Sequence, residues 1–128
     1  MQKRSKTHEQ AEFEIRFYEQ LVNQYPDFAD ALMALGEAYT RRGWYEKGLL
    51  ADLKLAELKR DDSVVWYNHA CSYALLTRPD DALEALQRAI ALGNDDFEHL
   101  IRDPDLATIR QSPKFRLLLE QRIAAKPS

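Results

Sequence analysis

The chain repeats itself. Displaced by 34 residues, the block Ala29–Asp62 falls on Ser63–Asp96. Leu32 then lies on Trp66, Leu35 on His69, Gly36 on Ala70 and Tyr39 on Tyr73. Farther on, Gly48 lies on Ala82, Leu49 on Leu83, Ala56 on Ile90 and Leu58 on Leu92. A repeat of this period is one supersecondary unit that cannot bury its apolar face alone, so it limits the fold more than any single motif does. Small residues at Gly36/Ala70 and Gly48/Ala82 let two antiparallel helices approach closely, while Leu32/Trp66 and Tyr39/Tyr73 fill the space around them. Glycine (4) and proline (5) are scarce, which disfavours a β-fold with many tight turns, and the runs between them are rich in helix formers.

The pattern predicts helices over about 29–42 and 45–60 in the first repeat (29–62) and about 63–76 and 79–92 in the second (63–96). Short connections, Arg42-Gly43-Trp44 and Thr77-Arg78-Pro79, suit antiparallel neighbours, and Gly93-Asn94 reads as a helix C-cap. Ahead of the repeats, Phe13, Ile15, Phe17, Tyr18, Leu21 and Val22 give one wide apolar face to a capping helix over 7–25. Behind them, Asp103-Pro104 and Ser112-Pro113 each pair an N-cap residue with proline at the first helical position. The C-terminal cap, 97–125, is thus expected to hold three helices, starting at Phe97, over Pro104–Gln111 and over Pro113–Ala125. Residues 1–128 are read as one domain.

These matched positions resemble the tetratricopeptide repeat, whose pattern is W-x2-L-G-x2-Y, then A-x3-F, then P. The tail, with YNHACSYAL ahead of DPDLATIRQSPKFRLLL, resembles the closing segment of some bacterial arrays of that family. The resemblance implies an all-α fold, a short right-handed superhelical solenoid of antiparallel helix pairs with capping helices. It also implies a non-enzymatic interaction module or adaptor that presents a concave groove to a peptide of a protein partner. The groove-lining positions would be Met33, Glu37 and Arg41 in the first repeat, Val64, Tyr67, Asn68, Cys71 and Leu75 in the second, and Arg102 beyond. Family members that clamp a C-terminal carboxylate use lysines, asparagines and an arginine. Here Asn68 and Arg102 occupy two such positions, but Met33, Glu37 and Glu98 occupy the others, so that clamp is not expected. Trp44, in an inter-helix turn, is either an interface anchor or a ring resting on its own helix ends. The alternative reading is a self-associating scaffold, a homodimer through the N-terminal helix or Trp44.

The bulk properties exclude other classes. A net charge of −3 and a pI near 5.6 provide no field for nucleic acid or acidic lipid, and the basic Lys3-Arg4-Lys6 cluster reads as a solvated end. Neither a secretory leader nor a membrane span is expected, and one cysteine fits a reducing, cytoplasmic compartment. His69 and Cys71 are two residues apart, so on a helix their side chains diverge by about 200° and form neither a dyad nor a chelate. A catalytic or metal role for Cys71 would need His8 or His99 brought to it. No catalytic residue, cofactor or metal is therefore expected. Where leucine is usual, the second repeat has His69, and where an apolar residue is usual, the first has Asp52. The expectation is that these two polar residues compensate each other as a hydrogen-bonded pair.

Overall fold

The structure, a computed structural model, describes residues 6–125. Of the Lys3-Arg4-Lys6 cluster, Lys3 and Arg4 lie outside the described residues. The described residues contain seven α-helices, one 3-10 turn and no strand: α1 Lys6–Gln24, α2 Ala29–Arg42, α3 Tyr45–Leu58, α4 Ser63–Leu75, α5 Pro79–Ala91, α6 Phe97–Arg102 and α7 Pro113–Ala125. The fold is all-α, and adjacent helices pack in pairs, as in a helical-repeat solenoid. The chain divides into two compact units between Arg60 and Asp61.

In the first unit α2 packs on both α1 and α3. Gly36 and Gly48 make the α2–α3 approach possible. A Cβ on Gly48 would stand 3.0 Å from Thr40 Oγ1, and one on Gly36 would stand 3.3 Å from Asp52 Oδ1. The turn reverses at Gly43, whose φ of 90° lies in the left-handed region. The Gly43 N–H donates to the Thr40 carbonyl at 3.0 Å and the Trp44 N–H to the Tyr39 carbonyl at 2.9 Å. Three side-chain bonds tie α1 to α2. The Tyr39 hydroxyl donates to Glu19 at 2.6 Å, Arg42 Nε donates to Glu12 at 2.8 Å, and Arg41 pairs with Glu14 at 2.5 Å.

In the second unit α4 and α5 form the matching hairpin, its crossing made by Ala70 and Ala82, both fully buried. Asp62 Oδ1 caps α4, accepting from the backbone N–H of Val64 at 2.9 Å, and Asp96 Oδ1 caps α6, accepting from His99 at 3.1 Å. Asp62 and Asp96, each the second of two consecutive aspartates at a repeat junction, are thus helix starts. The expected helix over Pro104–Gln111 is instead a 3-10 turn, Pro104–Leu106, followed by irregular turns to Ser112. Asp103 starts that turn and its side chain accepts from the Asp105 N–H at 2.9 Å. Bonds from Leu106 to Asp103 and from Ile109 to Leu106, each 3.1 Å, keep the i→i+3 pitch. That tight winding points Leu106 and Ile109 inward, and both are fully buried with Leu86, Leu100, Phe115 and Leu119.

Candidate functional site

Helix α4 carries the chemistry of the second unit on two different faces. One face, Tyr67, Cys71 and Ala74, lies against the turn segment that follows α6. The Tyr67 hydroxyl donates to Asp103 Oδ2, Cys71 Sγ stands 3.9 Å from the same oxygen, and His99 Nε2 lies 3.4 Å from it. The Thr108 hydroxyl donates to the Ala74 carbonyl at 3.0 Å. Burial, and then the Asp103 bond, hold the Tyr67 hydroxyl well above the ordinary tyrosine range, so it remains a proton donor. Burial, and then the neighbouring Asp103 carboxylate, push the Asp105 carboxyl upward. Cys71 Sγ and carboxylate oxygens of Asp103 and Asp105 lie within 4.8 Å of one another, a spacing that could hold a cation. Asp103 already accepts from Tyr67 and from the Asp105 backbone, which gives this cluster a purpose as a staple for the C-terminal segment.

The other face of α4 stacks Trp66, His69 and Tyr73. The imidazole lies 4.8 Å from the Tyr73 ring and 5.4 Å from the Trp66 ring, centroid to centroid and near parallel to both. These three side chains line a groove of about 600 Å³ whose far wall is α5, with Asp81, Glu84, Ala85 and Arg88. Arg88 lies 5.7 Å from the Trp66 ring, and Arg78 lies 4.8 Å from the Tyr73 ring while pairing with Asp81 at 2.8 Å. His69 is only 4% exposed and neither ring nitrogen has a hydrogen-bond partner. Burial lowers its pKa, opposed by the Asp81 charge, so the ring is held neutral. The imidazole is taken up in an aromatic stack, and Asp52 is buried with its Oδ1 beside Gly36, inside the first hairpin.

The residues singled out from sequence fall into three situations. Tyr67 and Cys71 are 9% and 8% exposed, held by the chain's own Asp103 rather than standing open. Val64 is exposed on the first turn of α4, Asn68 and Leu75 are half-buried, and Arg102 is exposed in an ion pair with Glu98 at 3.2 Å. In the first unit Met33 is half-buried and Glu37 exposed, while Arg41 is engaged with Glu14. Trp44 is half-buried against Tyr39, with Arg42 at 4.9 Å and Lys47 at 5.0 Å from its ring, so it rests on its own helix ends. Sequence reasoning missed the inward role of Asp103, expecting a helix cap alone. Its position one residue before a proline was the available signal, since such a residue caps and can also turn inward. No described helix is long and apolar enough to cross a membrane.

No protein-family model matches the chain. It is 36% identical over 89 residues to a chloroplastic protein of Arabidopsis thaliana, a match covering 67% of this chain and 27% of that protein. It is 33% identical over 78 residues to Protein O-mannosyl-transferase TMTC3 of Homo sapiens, covering 60% of this chain and 8% of that protein. The chain thus spans about a quarter of the first relative and under a tenth of the second. Joined to the paired helices, these similarities support a tetratricopeptide-like helical repeat.

Proposed function

We propose that this chain is a non-enzymatic protein-interaction module, an adaptor of the tetratricopeptide type with a bacterial-type closing segment, working in the cytoplasm on a protein or peptide partner. The observation that carries the reading is the division of labour on α4. Tyr67 and Cys71 are committed to holding the C-terminal segment, while Val64, Asn68 and Leu75 border the same helix with accessible surface. An apolar rim edged by one carboxamide suits a segment with apolar anchors and a few polar contacts. With Met33, Glu37 and Glu98 where a carboxylate clamp needs donors or cations, acidic C-termini are a poor fit. No sugar transfer is assigned, since the chain spans 8% of the relative whose name carries that activity.

A pull-down from native lysate tests the proposal, with wild type against Val64→Glu combined with Asn68→Ala. Both positions are accessible, so the fold should survive, and captured partners should be lost. Retention of every partner would refute the assignment of this face. A second reading, homodimerisation through α1, is favoured by Phe13 and Phe17, one turn apart and 65% and 51% exposed. Light scattering across concentration separates the two, because a Phe13→Ser, Phe17→Ser variant loses a dimer but leaves an adaptor unchanged.

A further inference from the structure

The segment that closes the second unit gathers a thiol and an imidazole around one carboxylate. Asp103 Oδ2 stands 3.9 Å from Cys71 Sγ on α4 and 3.4 Å from His99 Nε2 on α6. The other oxygen, Oδ1, accepts from the Asp105 N–H at 2.9 Å, which fixes the direction in which Oδ2 points. A carboxylate oxygen of Asp105 lies within 4.8 Å of both the thiol and the Asp103 carboxylate. A tetrahedral zinc shell needs such spacings. With Zn–S near about 2.3 Å and Zn–N and Zn–O near about 2.1 Å, neighbouring ligands stand about 3.6 Å apart for S···O and about 3.4 Å for N···O.

The charge balance is an independent reason for a cation. Asp103 is 9% exposed and Asp105 half-buried, and among the described residues neither pairs with a lysine or arginine. Arg102 pairs instead with Glu98, and Arg110 donates to the Ile101 carbonyl. Two carboxylates beside a buried thiol are thus short of positive charge, which is costly away from water. Burial, and then Asp103, push the Asp105 carboxyl upward, the same shortage felt at one group.

We propose that Cys71, His99, Asp103 and Asp105 bind a zinc ion, which fastens the C-terminal segment to α4. Thiolate, imidazole and carboxylate together suit zinc, and the sulfur makes magnesium or calcium a poor fit. On binding, the Cys71 S–H bond breaks, its proton leaves to solvent, and the sulfur electron pair goes to the metal. The His99 side chain is 59% exposed, so its ring is free to turn toward the ion, and the ion enters from that side. The Tyr67 hydroxyl, donating to Asp103, touches no metal but holds the ligand carboxylate in place. None of Val64, Asn68 or Leu75 takes part, so the site stands or falls apart from the interaction-module reading.

Calorimetric titration of the whole chain with zinc chloride tests the site, with cobalt chloride as a spectroscopic probe. Zinc should bind at one equivalent and release about one proton per ion at neutral pH. Cobalt should show the sulfur-to-metal charge-transfer band of a thiolate ligand, and Cys71→Ala should abolish it. Asp105→Asn, at a half-buried position where the fold tolerates the change, should weaken zinc about a hundredfold or more. Tyr67→Phe should weaken it less, about tenfold to a hundredfold. His8→Gln, on α1 of the other unit, should bind zinc as wild type does. Absence of zinc binding, or cobalt binding without the sulfur band, would overturn the proposal. Binding that Asp105→Asn and Cys71→Ala both keep would do the same, showing an adventitious ion only.

Discussion

The two hairpins share a pattern and solve the problem of one buried polar residue in opposite ways. In the α2–α3 hairpin the first helix contributes Leu35 and the second Asp52. In the α4–α5 hairpin the first helix contributes His69 and the second Leu86. All four are buried. The glycine/alanine exchange follows from this. Gly36 has no Cβ, and Asp52 Oδ1 occupies the space beside it, whereas Ala70 carries a methyl and the residue matching Asp52 in its hairpin is Leu86. A repeat position is therefore set by its partner across the hairpin, and the family pattern specifies the pair more closely than either member.

The largest effect should come from copying the first solution into the second hairpin. Leu86→Asp places a carboxylate in a fully buried site where Ala70 leaves no recess. An uncompensated buried charge costs roughly 4 kcal/mol or more, enough to unfold the second unit. Denaturant melts should show its transition lost while the first unit retains helical signal. A companion Leu86→Asp, Ala70→Gly variant should regain part of that loss, and no recovery at all would break the proposed coupling.

The next effect is at the staple of the second unit. Tyr67→Phe leaves the Asp103 carboxylate buried with one donor fewer, and hydrogen bonds to charged groups are worth about 1.5–3 kcal/mol. Urea midpoints read the loss. Tyr39→Phe should cost less, because its acceptor Glu19 is only part-buried and water can replace the hydroxyl.

How far the sequence showed these things depends on whether the cause is local or distant. The 34-residue register, the glycine and alanine crossings and the Asp caps were legible because each is fixed within a few residues or by periodicity. The Pro104–Gln111 stretch departs from the expected helix because a capped proline starts an α-helix and a 3-10 turn equally well, and burial of Leu106 and Ile109 decides between them. For Tyr67 and Cys71, periodicity places them on an inner face. That Asp103 reaches both of them depends on how the C-terminal segment folds back, and periodicity carries no information about that. The Asp52–His69 expectation rests on two anomalies in one register, and it passed over a nearer one, that Trp66 and Tyr73 stand one turn before and one turn after His69 on the same face of α4.

His69→Leu copies the first hairpin's residue into the second and should be neutral to stabilising by about 1 kcal/mol, since an orphaned buried polar group is replaced by a hydrocarbon. It should also change the pH dependence. The folded pKa of His69 lies below its ordinary value near 6.5, so below that pH the unfolded chain binds a proton that the folded chain resists. Wild type should therefore hold full stability above about pH 6.5 and lose it as pH falls. The Asp81 carboxylate on α5 opposes the trend without cancelling it. Melts at pH 7.5 and 5.5 measure it, and the difference between wild type and His69→Leu should be larger at the lower pH.

The smallest expected effect lies at the two turns. Gly43 reverses the first hairpin with φ 90°, and its counterpart Thr77 does so with φ 55°, the single described non-glycine residue in that region. A β-branched side chain loses roughly 1–2 kcal/mol there, while glycine loses about 0.5–1 kcal/mol in backbone entropy on ordering. The Thr77 hydroxyl donates to the Leu76 carbonyl at 2.6 Å, an exposed contact that offsets little. Thr77→Gly should thus stabilise the second unit by about 0.5 kcal/mol, a rise of a few degrees in its melting temperature. The reciprocal Gly43→Thr, which meets no steric obstacle because nothing lies within 4 Å of its Cβ position, should cost the first unit about the same amount through backbone strain alone. Equal and opposite shifts would show that the two turns differ only in residue. A destabilised Thr77→Gly would instead show that the hydroxyl contact outweighs the strain, and that the second turn has its own means of holding its conformation.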